Sequence, residues 1–537
     1  MAEALAPCRS LLLRLALASL LPLAASAEPA AALRPSAIFN VKSFGATGDG
    51  SRLETTALQR AIDACHENAG GTVLVPAGSY ITGTLKLRSH VTLRIESGAV
   101  LLGSQDLADY ANDIQGAVEA PVFSKCLLYA EGATNVAFEG AGRIDGRGSR
   151  AAFPEKVDGR LADRPMLMRL VGCKGVAFSG LTFRNSASWM LHLVECRQVR
   201  FDGIAIESRG NHINNDGIDL DGCRDVTIEN CRIDSGDDAI CPKSTSDKPC
   251  ENIVVRNCDL SSHTAGFKLG TSSRAGFLNI TVTDTRFRDC PMGAIKLLMV
   301  DGGRMENIEL SRLTRENVGG PIFIRLGNRG RRYDRPTEQV YGTTVSPEGM
   351  PVGVVRGVVI RQLKAEVNGE DLDRQGIMIT GIPGHRIENV TLDDIQIRFA
   401  GKPRNEPVTR EVPEDIARYP EQFFFGLLPS WGLFVRHVEG LTLNNVRLDR
   451  AQPDVRRPFV LQDVRALRAK GVFVNGAAAE NDGGMNPPRG KPRGITERGC
   501  APMTAGGIHP RGKPRGIEPS RLNNALFPFF PPKTIAF

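Results

Sequence analysis

Short runs in which apolar and polar residues alternate dominate the chain from about residue 36 to residue 476. β-Branched or aromatic triplets anchor them: Val176-Ala177-Phe178, Val199-Arg200-Phe201, Val226-Thr227-Ile228, Ile253-Val254-Val255, Ile280-Thr281-Val282, Ile308-Glu309-Leu310, Val358-Val359-Ile360, Val390-Thr391-Leu392 and Leu441-Thr442-Leu443. The central copies recur at about 27 residues, the kind of period that marks stacked coils. Each copy reads as a strand, an Asn-Cys or equivalent turn, and a second short strand, as in Val226-Thr227-Ile228-Glu229-Asn230-Cys231-Arg232-Ile233. No long helical periodicity competes with that alternation. The pattern predicts an all-β solenoid, a parallel β-helix of roughly ten coils in which each coil buries its apolar face on its neighbours. One amphipathic helix is predicted over 54–67, placed to cap the open end of the first coil and cover strand edges that would otherwise stay unpaired. The Gly-rich stretch ahead of it, Phe44-Gly45-Ala46-Thr47-Gly48-Asp49-Gly50, lacks the Lys-Ser/Thr of a phosphate loop.

Cysteine usage follows the same stack. Cys173, Cys196, Cys223 and Cys250 fall at one repeat position and Cys231 and Cys258 at another, which predicts ladders of reduced core thiols. No compact Cys-x-x-Cys pair or His cluster accompanies them, so no metal site is expected there. Cys241 and Cys250 bracket a short loop and are the best candidates for a bridge.

The two ends differ from the body. Arg9 and Arg14 border a Leu/Ala-rich run ending Ala25-Ser26-Ala27, which reads as a secretory signal over 1–27 with cleavage after Ala27. A secreted or periplasmic protein is therefore expected. No later run reaches the length of about 20 apolar residues that a membrane span needs. A single β-helix domain over 28–476 follows, and composition changes sharply after Gly476. The stretch 477–537 contains Pro488 to Ile495 and an identical copy at Pro510 to Ile517, a Pro/Gly/Arg repeat that cannot build a core and is expected to be disordered. It is either a functional basic tail or a repetitive element read into the frame. Its excess of five Lys/Arg over Asp/Glu accounts for most of the net charge of +7, so the body is close to neutral and offers no electrostatic case for a nucleic-acid partner. A monomer is expected.

Candidate chemistry sits in two consecutive copies, Asn214-Asn215-Asp216-Gly217-Ile218-Asp219 and Ser235-Gly236-Asp237-Asp238-Ala239-Ile240. Aligning the coils through Cys223 and Cys250 sets Asp216 opposite Asp238, about 4.8 Å apart between backbones. Adjacent residues of a regular strand point to opposite faces, so Asp237 joins them only if the chain bends, and Ser235-Gly236 supplies the bend. Glycosidic cleavage takes one carboxylic acid to protonate the leaving oxygen and one carboxylate to activate water. Mutual repulsion in such a cluster raises one carboxyl towards a general acid. A calcium site is the competing reading of the same acids. Asp219 and Asp221 are expected to be supporting groups.

Several stretches carry a family resemblance. The opening segment resembles the entrance of pectate-lyase-like β-helices. The central Asn-Asn-Asp-Gly-Ile-Asp and Gly-Asp-Asp resemble glycoside hydrolase family 28, the polygalacturonases and rhamnogalacturonan hydrolases. Arg184 to His192, Val412 to Glu421 and Gly426 to Leu433 look like bacterial members of it. The resemblance implies a single-stranded, right-handed, pectin-lyase-like β-helix that hydrolyses a pectin-type polysaccharide by inversion and without a cofactor. Asp237 would be the acid, with Asp216 and Asp238 holding the attacking water. Two positions depart from the family. In the register set by Gly266 and Gly270, Ala265 stands where its turn has His, and His263 reaches the site only if the turn is slipped. Lys296 stands either as the lysine of the Arg-Ile-Lys pattern or in place of its arginine, so one cation is missing either way. The candidate substrate contacts are Asn215, Lys243, His263, Lys268, Lys296, Arg325 and Trp189, with Tyr419 and Trp431 as further stacking candidates. Loops 329–351 and 404–429 are candidates for closing one end of the cleft. The alternatives are a Ca²⁺-dependent lyase using Lys268 or Lys296 as base, and a carbohydrate-binding protein without catalysis.

Overall fold

The computed structural model describes residues 37–479 apart from 211, 334–349, 369–375 and 401. The expected leader, nearly all of the Pro/Gly/Arg tail and most of loop 329–351 lie outside the described residues. The alternating runs form a right-handed parallel β-helix, and the triplets stack in register. One interior column passes Val136, Val176, Val199, Val226, Ile253, Ile280, Ile308, Val358, Val390 and Leu441. These side chains are all buried, and full burial of each is worth about 1.5–3 kcal/mol. Phe138, Phe178 and Phe201 stack beside that column with centroids 5.0 and 4.4 Å apart and nearly parallel rings. Asn230 and Asn257 turn the chain at φ 57° and 52°, the left-handed region that Asn tolerates better than most residues. Their amides hydrogen-bond from coil to coil, Asn257 Nδ2 donating to Asn230 Oδ1 at 2.7 Å.

The helix Thr55–Glu67 buries Leu58, Ala61, Ile62 and Cys65 and packs on the strands Ile38–Asn40 and Gly71–Val75. At the far end Ala477–Ala478 pairs antiparallel with Val474 and Phe473, so the sheet runs two residues past Gly476. Cys173, Cys196, Cys223 and Cys250 are buried free thiols, as are Cys231 and Cys258. The Cys241–Cys250 bridge does not form. Cys250 joins the interior ladder, its Sγ donating to Leu220 O at 3.0 Å. Cys241 shares the outward register of Asp219 and donates to Gly270 O at 3.0 Å. The two thiols therefore leave their strands on opposite faces.

That outward register positions the site. It passes Arg169, His192, Asp219 and Cys241, continues through Lys268 and Lys296, and ends on Phe323, Met378 and Phe434. At its C-terminal end Val412, Phe425 and Leu428 cover Phe323, Met378 and Phe434. At its N-terminal end Ala117 and Phe123 pack over Tyr129, Met166 and Trp189. Between these two apolar shoulders the sheet face is charged.

Candidate active site

Asp216 and Asp238 stack as the repeat predicts, each just ahead of a short strand, Ile218–Asp221 and Ile240–Lys243. Gly217 N–H donates to Asp238 O at 2.8 Å and Ile218 N–H to Ala239 O at 3.0 Å. Glycine is required at 217 by the close approach of the coils, because a Cβ there would sit 2.5 Å from Ala239 O. Carboxylate oxygens of Asp216 and Asp238 lie within 4.8 Å of each other. The bend at Ser235-Gly236 brings Asp237 to the same wall: Ser235 Oγ and Ser262 Oγ both donate to Asp237 O, at 2.5 and 2.6 Å. Asp216 and Asp238 are buried, and Asp237 is the partly exposed member.

Each carboxylate meets different neighbours. Asp238 Oδ2 accepts from Lys268 Nζ at 2.7 Å, and its Oδ1 takes Ala265 N–H at 3.2 Å. Burial works against its charge, but Lys268 and Lys296 override it and hold the carboxyl down at about 2. Asp237 accepts Asp238 N–H on Oδ1 at 2.9 Å and Asn214 N–H on Oδ2 at 3.2 Å. Burial and the Asp238 charge push it above the usual range, with Lys268 opposing. Asp216 is pushed well up by burial and by Asp219, against the pull of Lys243 at 3.4 Å. The wall thus holds a carboxyl drawn down by its lysine beside one pushed above the usual range, the unequal pair that acid–base hydrolysis uses.

Lys243 is buried and surrounded. Its Nζ lies 3.1 Å from Asp219, 3.3 Å from Glu119 and 3.4 Å from Asp216, and 4.3 Å above the Trp189 ring. Lys296 pairs with Glu421 at 2.6 Å. Among the candidate contacts, then, the structure brings Lys243, Lys268 and Lys296 to the carboxylate wall, each already charge-paired. It takes the others elsewhere. Trp189 is buried against Phe123 and His192 and presents its face to Lys243, not to solvent. Asn215 donates through Nδ2 to Ser186 O and Ser188 O, both at 2.9 Å, and so ties two coils together. His263 is exposed beside Arg209 and Asp234, and the adjacent Thr264 is the side chain that reaches the carboxylates. Arg325 is buried beneath residues 412–426, donating to Glu414 O at 2.7 Å, Asp415 O at 3.0 Å and Gly381 O at 3.1 Å.

Glu119, Thr264 and Glu421 are site residues that the repeat pattern did not single out. Thr264 stood inside an aligned coil. Glu119 and Glu421 come from irregular segments whose position no periodicity announces. Tyr419 lies beside Lys268, Thr271, Glu421 and Asp238. Residues 327–333 join the two covering segments: Arg331 Nη2 donates to Glu119 O at 2.8 Å, Asn328 N–H to Ile416 O at 2.7 Å, and Arg329 lies 5.9 Å from the Tyr419 ring. Asp301 anchors this wall through Arg329, Arg331 N–H and Tyr333. The partly exposed residues Asn214, Gly236, Asp237 and Thr264 stand at the mouth.

The donor atoms do not suit calcium. That ion takes six to eight oxygens, whereas here Cys241 Sγ stands beside Asp216 and Asp238 and a lysine ammonium already contacts each of the two carboxylates.

Comparison with known proteins agrees with this chemistry. The family model described as "Glycosyl hydrolases family 28" matches residues 65–412. A probable polygalacturonase of Vitis vinifera is 29% identical over 394 residues, 70% of this chain and 77% of that protein. The hyperthermoactive exopolygalacturonase of Thermotoga maritima superposes with a TM-score of 0.56 at 25% identity, over 68% of this chain and 88% of its own. The family 28 exopolygalacturonase of Yersinia enterocolitica shares the fold, with a TM-score of 0.62 at 19% identity over 81% of this chain and 79% of its own. A wall of three carboxylates on a right-handed β-helix, with a family match running through it, makes this chain a glycoside hydrolase belonging to glycosyl hydrolases family 28.

Proposed function

We propose that the protein is an exported hydrolase of a pectin-type polysaccharide, a polygalacturonan or rhamnogalacturonan, acting by single displacement with inversion. The observation that carries this reading is the unequal treatment of neighbouring carboxyls: Asp238 is ion-paired to Lys268 at 2.7 Å and held down, while burial and the Asp238 charge push Asp237 up. Asp237 protonates the leaving glycosidic oxygen. Asp216 and Asp238, with carboxylate oxygens within 4.8 Å of each other, hold the attacking water, and Asp238, the one held ionised, takes its proton. The polygalacturonase names among its relatives support an acidic sugar as substrate, and the lysine-rich sheet face can offer such a sugar charge-assisted hydrogen bonds. The joined segments around Glu119, Arg331 and Tyr419 wall off one side of the cleft, which favours attack at chain ends.

The full chain, incubated with polygalacturonan and rhamnogalacturonan in EDTA, should release reducing sugar without an ultraviolet-absorbing unsaturated product. Proton NMR of the first product should show the inverted anomer. Asp237→Asn should cost roughly 10²–10⁴ in kcat. Calcium-dependent formation of the unsaturated product would instead make it a lyase. Saturable glycan binding without turnover would make it a binding protein.

A further inference from the structure

The turn after strand Asp259–Ser262 reaches the carboxylates themselves. Ala265 sends only its backbone N–H to Asp238. Two neighbouring side chains take up the space around the carboxylates. Lys268 Nζ reaches Asp238 Oδ2 at 2.7 Å. Thr264 Oγ1 lies between the two acids, 2.8 Å from Asp237 Oδ1 and 2.6 Å from Asp238 Oδ1.

A hydroxyl has one proton to give. Two ionised carboxylates cannot both accept it, so one of the two short contacts needs a proton from the carboxyl side. Lys268 decides which. With the ammonium on Asp238, the Thr264 proton goes to the Asp238 anion, and the Thr264 oxygen is left as an acceptor facing Asp237. We propose that Lys268 and Thr264 are positioning residues that place the single proton shared by this pair on Asp237 and leave Asp238 anionic. The chain runs Lys268 ammonium, Asp238 carboxylate, Thr264 hydroxyl, Asp237 carboxylic acid. Neither residue takes part in bond making. They set the protonation pattern before substrate arrives, and lysine does so across the neutral range, where a histidine would titrate. This rests on the acid–base roles given above.

The test is the pH profile of kcat on polygalacturonate for wild type, Thr264→Val, Thr264→Ser and Lys268→Met, with KM and thermal stability measured for each. Thr264→Val keeps the shape and removes the bridge, so kcat should fall about 10²-fold with KM changed by less than about 3-fold. The acid limb should move up, because the Asp238 anion loses a hydrogen-bond donor. Thr264→Ser should recover most of the activity and the width. Lys268→Met should raise the acid limb by roughly 1–3 pH units, the usual reach of one adjacent charge. Equal losses in Thr264→Val and Thr264→Ser would assign Thr264 to packing and overturn the proposal. So would a Lys268→Met variant that raises KM with both limbs in place, since Lys268 would then be holding substrate. An inactive wild type would remove the proposed function and this proposal together, whereas an active wild type with unshifted variants would remove this proposal alone.

Discussion

Asp219 is fully buried, with the Lys243 ammonium 3.1 Å from its carboxylate. Burial raises this carboxyl from 3.8 to about 7, with Lys243 opposing and Glu119 adding to the rise. Because the folded value lies above the unfolded one, the folded protein holds a proton that the unfolded chain has released. The stability this contributes is complete below about pH 4 and is lost as pH climbs to 7, with a slope of at most about 1.4 kcal/mol per pH unit. Asp238 has the opposite sign: lowered to about 2, it contributes stability above 3.8 that is lost as pH falls from 3.8 towards 2. Asp219→Asn should therefore flatten the decline of Tm between pH 4 and 7 and leave the acid-side decline intact. Thermal melts across that range check it, and an unchanged slope in the variant would exclude Asp219 as the titrating group.

At the scale of elements, residues 412–426 are held by arginines that rise from the sheet. Arg436 donates to Val412 O at 2.8 Å and Pro413 O at 2.7 Å, and Arg325 to Glu414 O and Asp415 O. Arg325 also stacks 5.1 Å from the Phe425 ring. Arg325→Ala should leave the β-helix folded, increase proteolytic cleavage within 412–426, and lower kcat by releasing Glu421 from Lys296. Limited proteolysis followed by mass mapping distinguishes this from general unfolding, which would expose sites throughout the chain. The same element shows where sequence reading stops. The coils were legible because alternation and a recurring spacing specify register, and register stacks Asp216 on Asp238 without further information. The bend that admits Asp237 was legible from Ser235-Gly236. What Arg325 touches was not: a lysine or arginine on an outward register position reads the same whether it meets substrate or a loop carbonyl from 90 residues on. Trp189 was ambiguous for the same reason, since the segment that covers it, around Phe123, has no pattern of its own. Glu119 escaped entirely, because its partners Lys243, Ser272 and Arg331 are brought to it only by folding.

Across the whole molecule, the outward column turns apolar at its C-terminal end, on Phe323, Met378 and Phe434, and runs at its N-terminal end through His192, Arg169, Tyr129 and Lys86, with an irregular segment packed over apolar side chains near each end. A polymer laid along the stack meets the Phe123 shoulder in one direction and the Phe425 shoulder in the other. The bridge formed by Asn328, Arg329 and Arg331 closes the side between Glu119 and Tyr419. Among the described residues, the partly exposed ones beside the carboxylates are Asn214, Gly236, Asp237 and Thr264, and on the proposed function an approach past them favours a chain end over the middle of a polysaccharide. Hydrolysis of polygalacturonate should therefore release small products from the first minutes, with reducing ends accumulating while viscosity falls slowly. A substrate labelled at its reducing end should keep its label on long fragments if attack begins at the other terminus. Arg331→Ala removes the Glu119 tie and should loosen this wall, broadening early products towards longer oligomers without abolishing turnover. A rapid fall in viscosity with mixed oligomers from the wild type would mean that the segments swing clear in solution and that a continuous cleft, rather than a blind one, meets the substrate.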